Sequence, residues 1–436
     1  MSLESAKPTQ VKNWALKTNL WGESEYTLGQ PKRMVDAPLM LATAELSAAG
    51  LAALPFILHR LRISKWMQNE ALQPSGDGES IGLSLVLPVW NEEKLIIQKL
   101  DNLASQDFPR ENLELIIIDS ASTDTTMTLA KDWLKENPKE FPNYQLIQME
   151  QRLGKSEAVK RAFNAAADEN PVIAMTDADA MVPDTGALKR LASWFEDAAI
   201  GAVGGTPNRQ TESDKAHVKL EQGYRNLFTQ QRIAESQVDS TPFLEGSLVA
   251  FRKKFIDTSL LDCGSNADDS QLATMARLNG GRSIQDPELL FEEGTPSSNS
   301  GRRQRKVRRA QGLCRHLWRN RSSWFAKKHG HFGKILGNQG IMHIFAPWLL
   351  ILALMLGFSR WFMHLTGEVS LEGWILILFI IEMLVLISLI SIIVNIRIPG
   401  LSLMQTYLDG MFSLLWAHFL ILKGKSLHIW EQPERE

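Results

Sequence analysis

The chain reads as an α/β protein built on an open, mostly parallel sheet, flanked by membrane-spanning helices on its N-terminal and C-terminal sides. Between residues 83 and 205, short apolar runs alternate with longer stretches whose apolar residues recur at helical spacing. The short runs are continuous, as in Leu115-Ile116-Ile117-Ile118, and do not alternate with polar residues. Strands covered by helices on both faces have this pattern. Outside that block lie apolar stretches long enough to cross a hydrocarbon layer. Composition adds a third constraint: 436 residues, 44% hydrophobic and 22% charged, exclude a disordered chain, a collagen-like chain and a disulfide scaffold. The formal charge of −2 is an average over unlike parts. Residues 301–334 hold 12 Lys/Arg and no acid, leaving the rest of the chain at −14.

The elements follow in order. Residues 1–36 are polar and lack the apolar core of a signal peptide, so a tail is expected there and not a cleaved signal. Residues 37–59 are mostly apolar and run into Arg60, Arg62 and Lys65. At about 1.5 Å per residue this stretch matches a hydrocarbon core of roughly 30 Å. Glu45, Pro38 and Pro55 favour an interfacial helix instead; the basic flank favours a span over 37–62. Residues 63–82 form a linker, rich in Pro, Ser and Gly over 73–80.

The globular domain is expected over 83–300. Its strands are predicted at 83–89, 113–119, 144–148, 172–177 and 201–205, and its helices at 92–105, 125–137, 156–168 and 186–195. A basic interfacial segment, 301–340, leads to membrane segments at 341–358 and 374–394. Asp409-Gly410 interrupts a further apolar stretch at 403–422, and basic residues flank it on both sides (Arg397, then Lys423 and Lys425). One span cannot place both flanks in the cytoplasm, so a re-entrant or interfacial element is favoured over a third C-terminal span. Residues 423–436 form a tail. The cysteines, Cys263 and Cys314, make neither a disulfide framework nor a Cys-x-x-Cys pair, which suits a reducing compartment.

Ligands of open α/β sheets sit beyond the carboxyl ends of the strands, and polar clusters fall there. Asp177-Ala178-Asp179, with Pro183 beyond, follows the apolar run 172–175. On extended chain, residues i and i+2 point the same way, so both carboxylates can face one cation. Two carboxylates suit Mg²⁺ or Mn²⁺, completed by water and phosphate oxygens; two acids at a helix start are the plainer alternative. Pro88-Val89-Trp90-Asn91-Glu92-Glu93, Asp119-Ser120-Ala121-Ser122-Thr123-Asp124 and Arg152-Leu153-Gly154-Lys155 end the other strands. Asp119 can accept from a base N–H and Lys155 can meet a phosphate or the base, while Asn91, Glu92, Ser122 and Thr123 also suit helix caps. No G-x-G-x-x-G and no Walker lysine loop accompanies them.

Asp268-Asp269 opens a helical run, where the macrodipole favours acids in any case. Asp269 there can act as a base toward an acceptor hydroxyl. The run Arg302-Arg303-Gln304-Arg305-Lys306-Val307-Arg308-Arg309 suits a diphosphate or anionic membrane lipids. No nucleic-acid-binding fold accompanies it, so no nucleic-acid partner is expected.

In order and spacing these motifs resemble the family 2 glycosyltransferases, over roughly residues 83–312. Pro88-Val89-Trp90-Asn91-Glu92 is similar to the family's first-strand motif, and the 119–124 segment to its D-D-G-S-T-D. Gly154-Lys155 is similar to its G-K, and Asp177-Ala178-Asp179 with Pro183 to its D-A-D-x-x-x-P. Glu245-Gly246-Ser247 with Phe251-Arg252 resembles the acceptor-side segment, and Asp268-Asp269 the E-D that carries the base. The resemblance implies a Rossmann-like GT-A domain that binds a nucleoside-diphosphate sugar with Mg²⁺ or Mn²⁺.

By that resemblance Pro88, Asn91, Glu92, Asp119 and Lys155 lie on the nucleotide side. Asp179, with Asp177 nearby, holds the metal-diphosphate, and Arg308 meets the diphosphate. Gly246, Ser247 and Asp268 lie on the acceptor side, and Asp269 deprotonates the acceptor. The chain departs from the family at Ser120, which replaces the second acid, and at Arg305-Lys306-Val307-Arg308-Arg309, where membrane polysaccharide synthases carry Q-x-x-R-W.

The missing Trp and the few C-terminal membrane segments favour transfer of one sugar to a lipid-linked or otherwise membrane-presented acceptor over processive synthesis. Nucleotide sugars are cytosolic, so the catalytic domain of this integral membrane protein is expected to face the cytoplasm. A nucleotidyltransferase and a non-catalytic membrane scaffold are the alternatives from other classes.

Overall fold

The computed structural model describes residues 17–18, 24–25, 37–208, 216–293, 299–367 and 373–429. Most of the expected N-terminal tail and the end of the C-terminal one lie outside the described residues. A two-residue strand pair, β1 (Lys17–Thr18) and β2 (Ser24–Glu25), precedes helix α1 (Ala37–Trp66). The α/β block follows as β3 (Leu83–Val89), α2 (Ile96–Ala104), β4 (Leu113–Asp119), α3 (Thr126–Glu136), β5 (Asn143–Gln148), α4 (Lys155–Ala165), β6 (Val172–Thr176), β7 (Ala180–Met181), α5 (Ala187–Ser193) and β8 (Ile200–Pro207). Next come α6 (Ala216–Val238), β9 (Leu248–Arg252), α7 (Asp268–Leu278) and β10 (Arg282–Glu293). Helices α8 (Asn299–Arg319), α9 (Gly330–Gly340), α10 (Ala346–Leu365), α11 (Gly373–Ile393) and α12 (Ser402–Leu422) complete the described chain.

Eight of the described strands form one sheet in the order β5-β4-β3-β6-β9-β8-β10-β7. The continuous apolar runs sit where both faces are covered. In β4 every residue is buried; Leu115 and Ile117 join the cluster of α2 and α3, whereas Ile116 and Ile118 join that of α4 and α7. Each such side chain contributes roughly 1.5–3 kcal/mol on burial. Strands β5, β4, β3 and β6 are mutually parallel. Strand β9 runs antiparallel between β6 and β8, and β7 antiparallel to β10.

Strand β9 decides where the site lies. Thr176, the last residue of β6, pairs with Leu248, the first of β9, so Gly246 and Ser247 arrive beside Asp177. The sequence reading treated 245–252 as an acceptor-side segment and not as a strand, and it missed β10. Pro287 and five acids or amides break the apolar pattern of β10, and its pairing with β8 shifts register between Gln285 and Leu290.

Among the described residues, three helices are long and apolar enough to cross a membrane: Leu39–Trp66, Lys327–Leu365 and Gly373–Ile393. The stretch expected at 341–358 is therefore part of a much longer rod, continued through a π-helical turn at Ile341–Phe345. Glu45, which argued against a span in α1, is buried against Arg360 of α10 (Nε donating to Oε2, 3.1 Å). Arg360 also meets Glu382 of α11 at 2.6 Å, and the Trp361 indole donates to the same carboxylate at 2.9 Å. Gly357 makes the room, since a Cβ there would lie 2.6 Å from Glu382 Oε1 and 3.0 Å from Glu45 Oε1. Removing one partner of such a cluster strands buried charge. Arg360→Met is therefore expected to destabilise the detergent-solubilised protein by about 3–5 kcal/mol, read as a large fall in Tm.

Candidate active site

The carboxyl end of β6, the segment leading into β9 and the N-termini of α4 and α7 converge on a cavity of about 700 Å³. Its polar wall holds Lys155, Asp177, Glu245, Gly246, Ser247, Asp268, Asp269 and Arg308. Lys155 is the first residue of α4, presented by Gly154, whose φ of 94° is accessible to glycine and strained for other residues. Its ammonium lies 2.5 Å from Asp177 Oδ1. Burial would depress the Lys155 pKa, but the charges of Asp177 and Asp268 outweigh it and hold Lys155 above the ordinary lysine range.

Asp268 and Asp269 are the first two residues of α7. Asp269 Oδ1 accepts from the Ser270 N–H at 2.6 Å, and Asp269 lines the cavity. A Cβ built on Gly246 would sit 3.2 Å from Asp269 Oδ2 and 3.4 Å from Lys155 Nζ, so this glycine lets β9 approach both. Burial, then the neighbouring charge of Asp268, pushes the Asp269 carboxyl up to about 6, with Lys155 pulling the other way. A carboxylate near 6 is ionised at neutral pH and more basic than an exposed one.

Helix α8 packs on the loop before α7. A Cβ on Gly312 would meet Asn266 Oδ1 at 2.6 Å, and Asn266 Nδ2 donates to the Arg308 carbonyl at 2.7 Å. This carries Arg308 into the cavity wall, where burial lowers its pKa to about 10 and leaves it a cation at pH 7.

The loops after β3 and β4 interlock outside the cavity wall. Asp119 is fully buried, and its carboxylate accepts from the Ser122 N–H at 3.1 Å and the Ser122 hydroxyl at 2.5 Å. Asn91, at φ 52°, accepts from the Thr123 N–H at 2.8 Å, and its own N–H donates to Ser122 Oγ at 2.9 Å. The helix-cap alternative for Asn91, Ser122 and Thr123 is thereby corrected. Their side chains tie two loops together, and α2 begins only at Ile96. The Arg152 guanidinium stacks on Trp90, 3.2 Å from the ring centroid.

The cavity thus gathers Lys155, Asp177, Gly246, Ser247, Asp268, Asp269 and Arg308. Pro88, Asn91, Glu92, Asp119 and Asp179 lie at strand ends outside its lining. Sequence reasoning missed Arg232 of α6, which meets Glu245 at 2.5 Å in the wall. It also missed the far wall, where Gln405, Thr406, Asp409 and Ser413 of α12 join Ser391 and Ile392 of α11. Lys306 pairs with Asp409 there, joining α8 to α12. Asp409, which looked like an interruption of an apolar helix, has a partner in the basic segment.

Residues 84–260 match the model of the family described as Glycosyl transferase family 2. This segment is a family 2 glycosyltransferase domain. The glycosyltransferase domain has the GT-A fold: the mannosyltransferase PcManGT from Pyrobaculum calidifontis, solved in complex with GDP-Man and Mn²⁺, superposes with a TM-score of 0.70 at 24% identity over 88% of this chain and 100% of that one.

A Methanococcus voltae enzyme named as a dolichyl N-acetyl-α-D-glucosaminyl phosphate 3-β-D-2,3-diacetamido-2,3-dideoxy-β-D-glucuronosyltransferase is 39% identical over 70 residues, 16% of this chain and 21% of that one. The poly-β-1,6-N-acetyl-D-glucosamine synthase of Staphylococcus epidermidis is 22% identical over 242 residues, 54% of this chain and 57% of that one. The matches therefore span about a fifth and just over half of those two relatives.

For a metal, the described residues contain no group of three or more His, Cys, Asp or Glu side chains able to form a cage. They do offer the Asp177/Asp179 pair at the end of β6, a donor set that suits a divalent ion arriving with phosphate oxygens.

Proposed function

We propose that this protein transfers one sugar from a nucleoside-diphosphate sugar to an acceptor presented by the membrane, with inversion at the anomeric carbon. The observation that carries the reading is the cavity itself. It runs from the Asp269 carboxylate to the facing residues of α11 and α12, and one wall is apolar (Ile392, Leu414, Phe228). An acceptor with a lipid end can enter from the bilayer side and put a hydroxyl under Asp269. The names of the similar enzymes, one acting on a dolichyl-linked sugar and one solved with GDP-Man, agree with such substrates.

In the proposed step the acceptor oxygen bonds to the anomeric carbon as its proton passes to Asp269 Oδ2. The bond from that carbon to the diphosphate breaks, and the diphosphate leaves with the electron pair. Asp269 is oriented by the Ser270 N–H and ionised at neutral pH. Lys155 and Arg308 place positive charge on the departing side. Asp179, with Asp177, would hold a divalent cation, Mg²⁺ or Mn²⁺, whose chemistry is to neutralise the leaving diphosphate. Asp119, Asn91 and Glu92 belong to the interlocked loops proposed to seat the nucleoside. The basic flank of α1 and the basic face of α8 suit a cytoplasmic catalytic domain against anionic lipid headgroups.

The test is a screen of nucleotide sugars with purified protein in detergent, with and without Mn²⁺. Nucleoside diphosphate release is expected, falling at least tenfold with EDTA and recovering with Mn²⁺. Release of pyrophosphate would assign a nucleotidyltransferase instead. Turnover indifferent to EDTA would remove the metal from the reading.

A further inference from the structure

Helix α2 carries a polar stripe on its buried face, where its amphipathic pattern calls for apolar residues. Lys99 is fully buried, Asn102 lies one turn on along the same face (i, i+3), and Gln106, in the turn just after the helix, is nearly fully buried. All three side chains bond to the segment that carries Asp177 and Asp179. The Lys99 ammonium donates to Thr176 Oγ1 at 2.9 Å and to the Ala180 carbonyl. Asn102 exchanges two bonds with the backbone of Val182 (2.8 and 2.9 Å), and Gln106 donates to the Asp184 carbonyl at 3.0 Å.

The partners of Lys99 bracket the acidic turn. Thr176 is the residue before Asp177 and Ala180 the residue after Asp179, so one ammonium joins both ends of the three-residue loop. Thr176 Oγ1 in turn donates to the Ser247 carbonyl at 2.9 Å, and that carbonyl also receives the Asp177 N–H at 3.3 Å. Both oxygens bonded by Lys99 are neutral. A buried ammonium with neutral partners is costly: burial brings the Lys99 pKa down to about 7, with the charges of Asp177 and Asp179 pulling the other way. An apolar side chain would fill the same volume without that cost, but it could not bond both ends of the turn as Lys99 does.

We propose that Lys99 is a positioning residue that closes the Asp177–Asp179 turn and holds its two carboxylates in a geometry ready for a divalent cation. The inference rests on the metal reading given above. Lys99 touches neither substrate nor cation in this role; it spaces the ends of the loop, while Asn102 and Gln106 hold the chain that leaves it.

The test is a titration of Mn²⁺ into the purified full chain with uridine or guanosine diphosphate present, following free Mn²⁺ by EPR against a protein-free blank. Lys99→Met should weaken the protein-dependent Mn²⁺ site at least tenfold while Tm stays level or rises, since a buried charge has been removed. Thr176→Val cuts the same tether from the other side and should weaken Mn²⁺ in the same direction. The double variant should lose less than the sum of the two single effects, because both remove the Lys99–Thr176 bond. Wild-type protein that binds Mn²⁺, with Lys99→Met binding it equally well, overturns the assignment of Lys99; fully additive losses in the double variant also overturn it. Wild-type protein that binds no Mn²⁺ with either diphosphate overturns the metal reading itself and the role of Lys99 with it.

Discussion

Asp269→Asn is expected to lower turnover with a hydroxyl acceptor by about 10²–10⁴-fold, the range a positioned general base contributes, with little change in donor KM. The amide has the carboxylate's shape and keeps the bond from the Ser270 N–H, but it cannot take a proton. The same substitution should not destabilise the fold. The Asp269 carboxyl is raised to about 6 from an ordinary 3.8, first by burial and then by Asp268. The folded protein therefore holds that proton more tightly than the unfolded chain does. The stability this gives is complete below about 3.8 and is lost as pH rises through about 6, so at pH 8 an ionised Asp269 is a burden. The substituted amide is uncharged at every pH and carries no such burden. The variant should melt above wild type at pH 8, and the two should converge near pH 4. Activity near wild type, or a lower Tm at pH 8, would contradict the role given to Asp269.

Lys155→Met is expected to cost about 10²-fold in kcat/KM through two separable effects. Asp177 loses the ammonium 2.5 Å away, and the donor side of the cavity loses a cation. Asp269 loses a nearby charge that pulls its pKa down. A neighbouring opposite charge shifts a carboxyl by about one unit or more, so the acidic limb of the kcat/KM profile, near pH 6 in the wild type, should move upward by about that amount. Lys155→Arg keeps the charge and should leave the limb in place even if the longer side chain raises donor KM. A limb that stays near pH 6 in Lys155→Met would show that Lys155 does not set the ionisation of Asp269.

The first half of the sheet was legible because its strands are doubly covered. Residues such as Ile116 and Ile118 must be apolar on both faces, and that leaves a continuous run no loop would carry. The second half was not. Strand β9 was read as an acceptor-side segment and not as a strand, and β10 hides behind Asp286, Pro287 and Glu288, with side-chain contacts such as Arg190 to Asp286 at 2.7 Å. In the site, motif spacing brought out the acids and Lys155, because chemistry restricts which residues can stand at a strand end. The supports stayed invisible. Lys99 sits where periodicity asks for an apolar residue, and Arg232 meets Glu245 only after α6 has packed on the sheet. Asp409 looked like a defect in an apolar helix until Lys306, 103 residues earlier, was found beside it. Contacts across such distances follow from tertiary packing and leave no local pattern.

The most direct test of the central claim follows the fate of the sugar. Purified protein in lipid nanodiscs, given a radiolabelled nucleotide sugar and a membrane lipid extract, should move label into the organic-soluble fraction. One sugar should be added per acceptor, one nucleoside diphosphate released per sugar, and the anomeric configuration inverted relative to the donor. Label accumulating in a long water-soluble polymer, or a product that retains the donor's configuration, would contradict single inverting transfer to a membrane-presented acceptor.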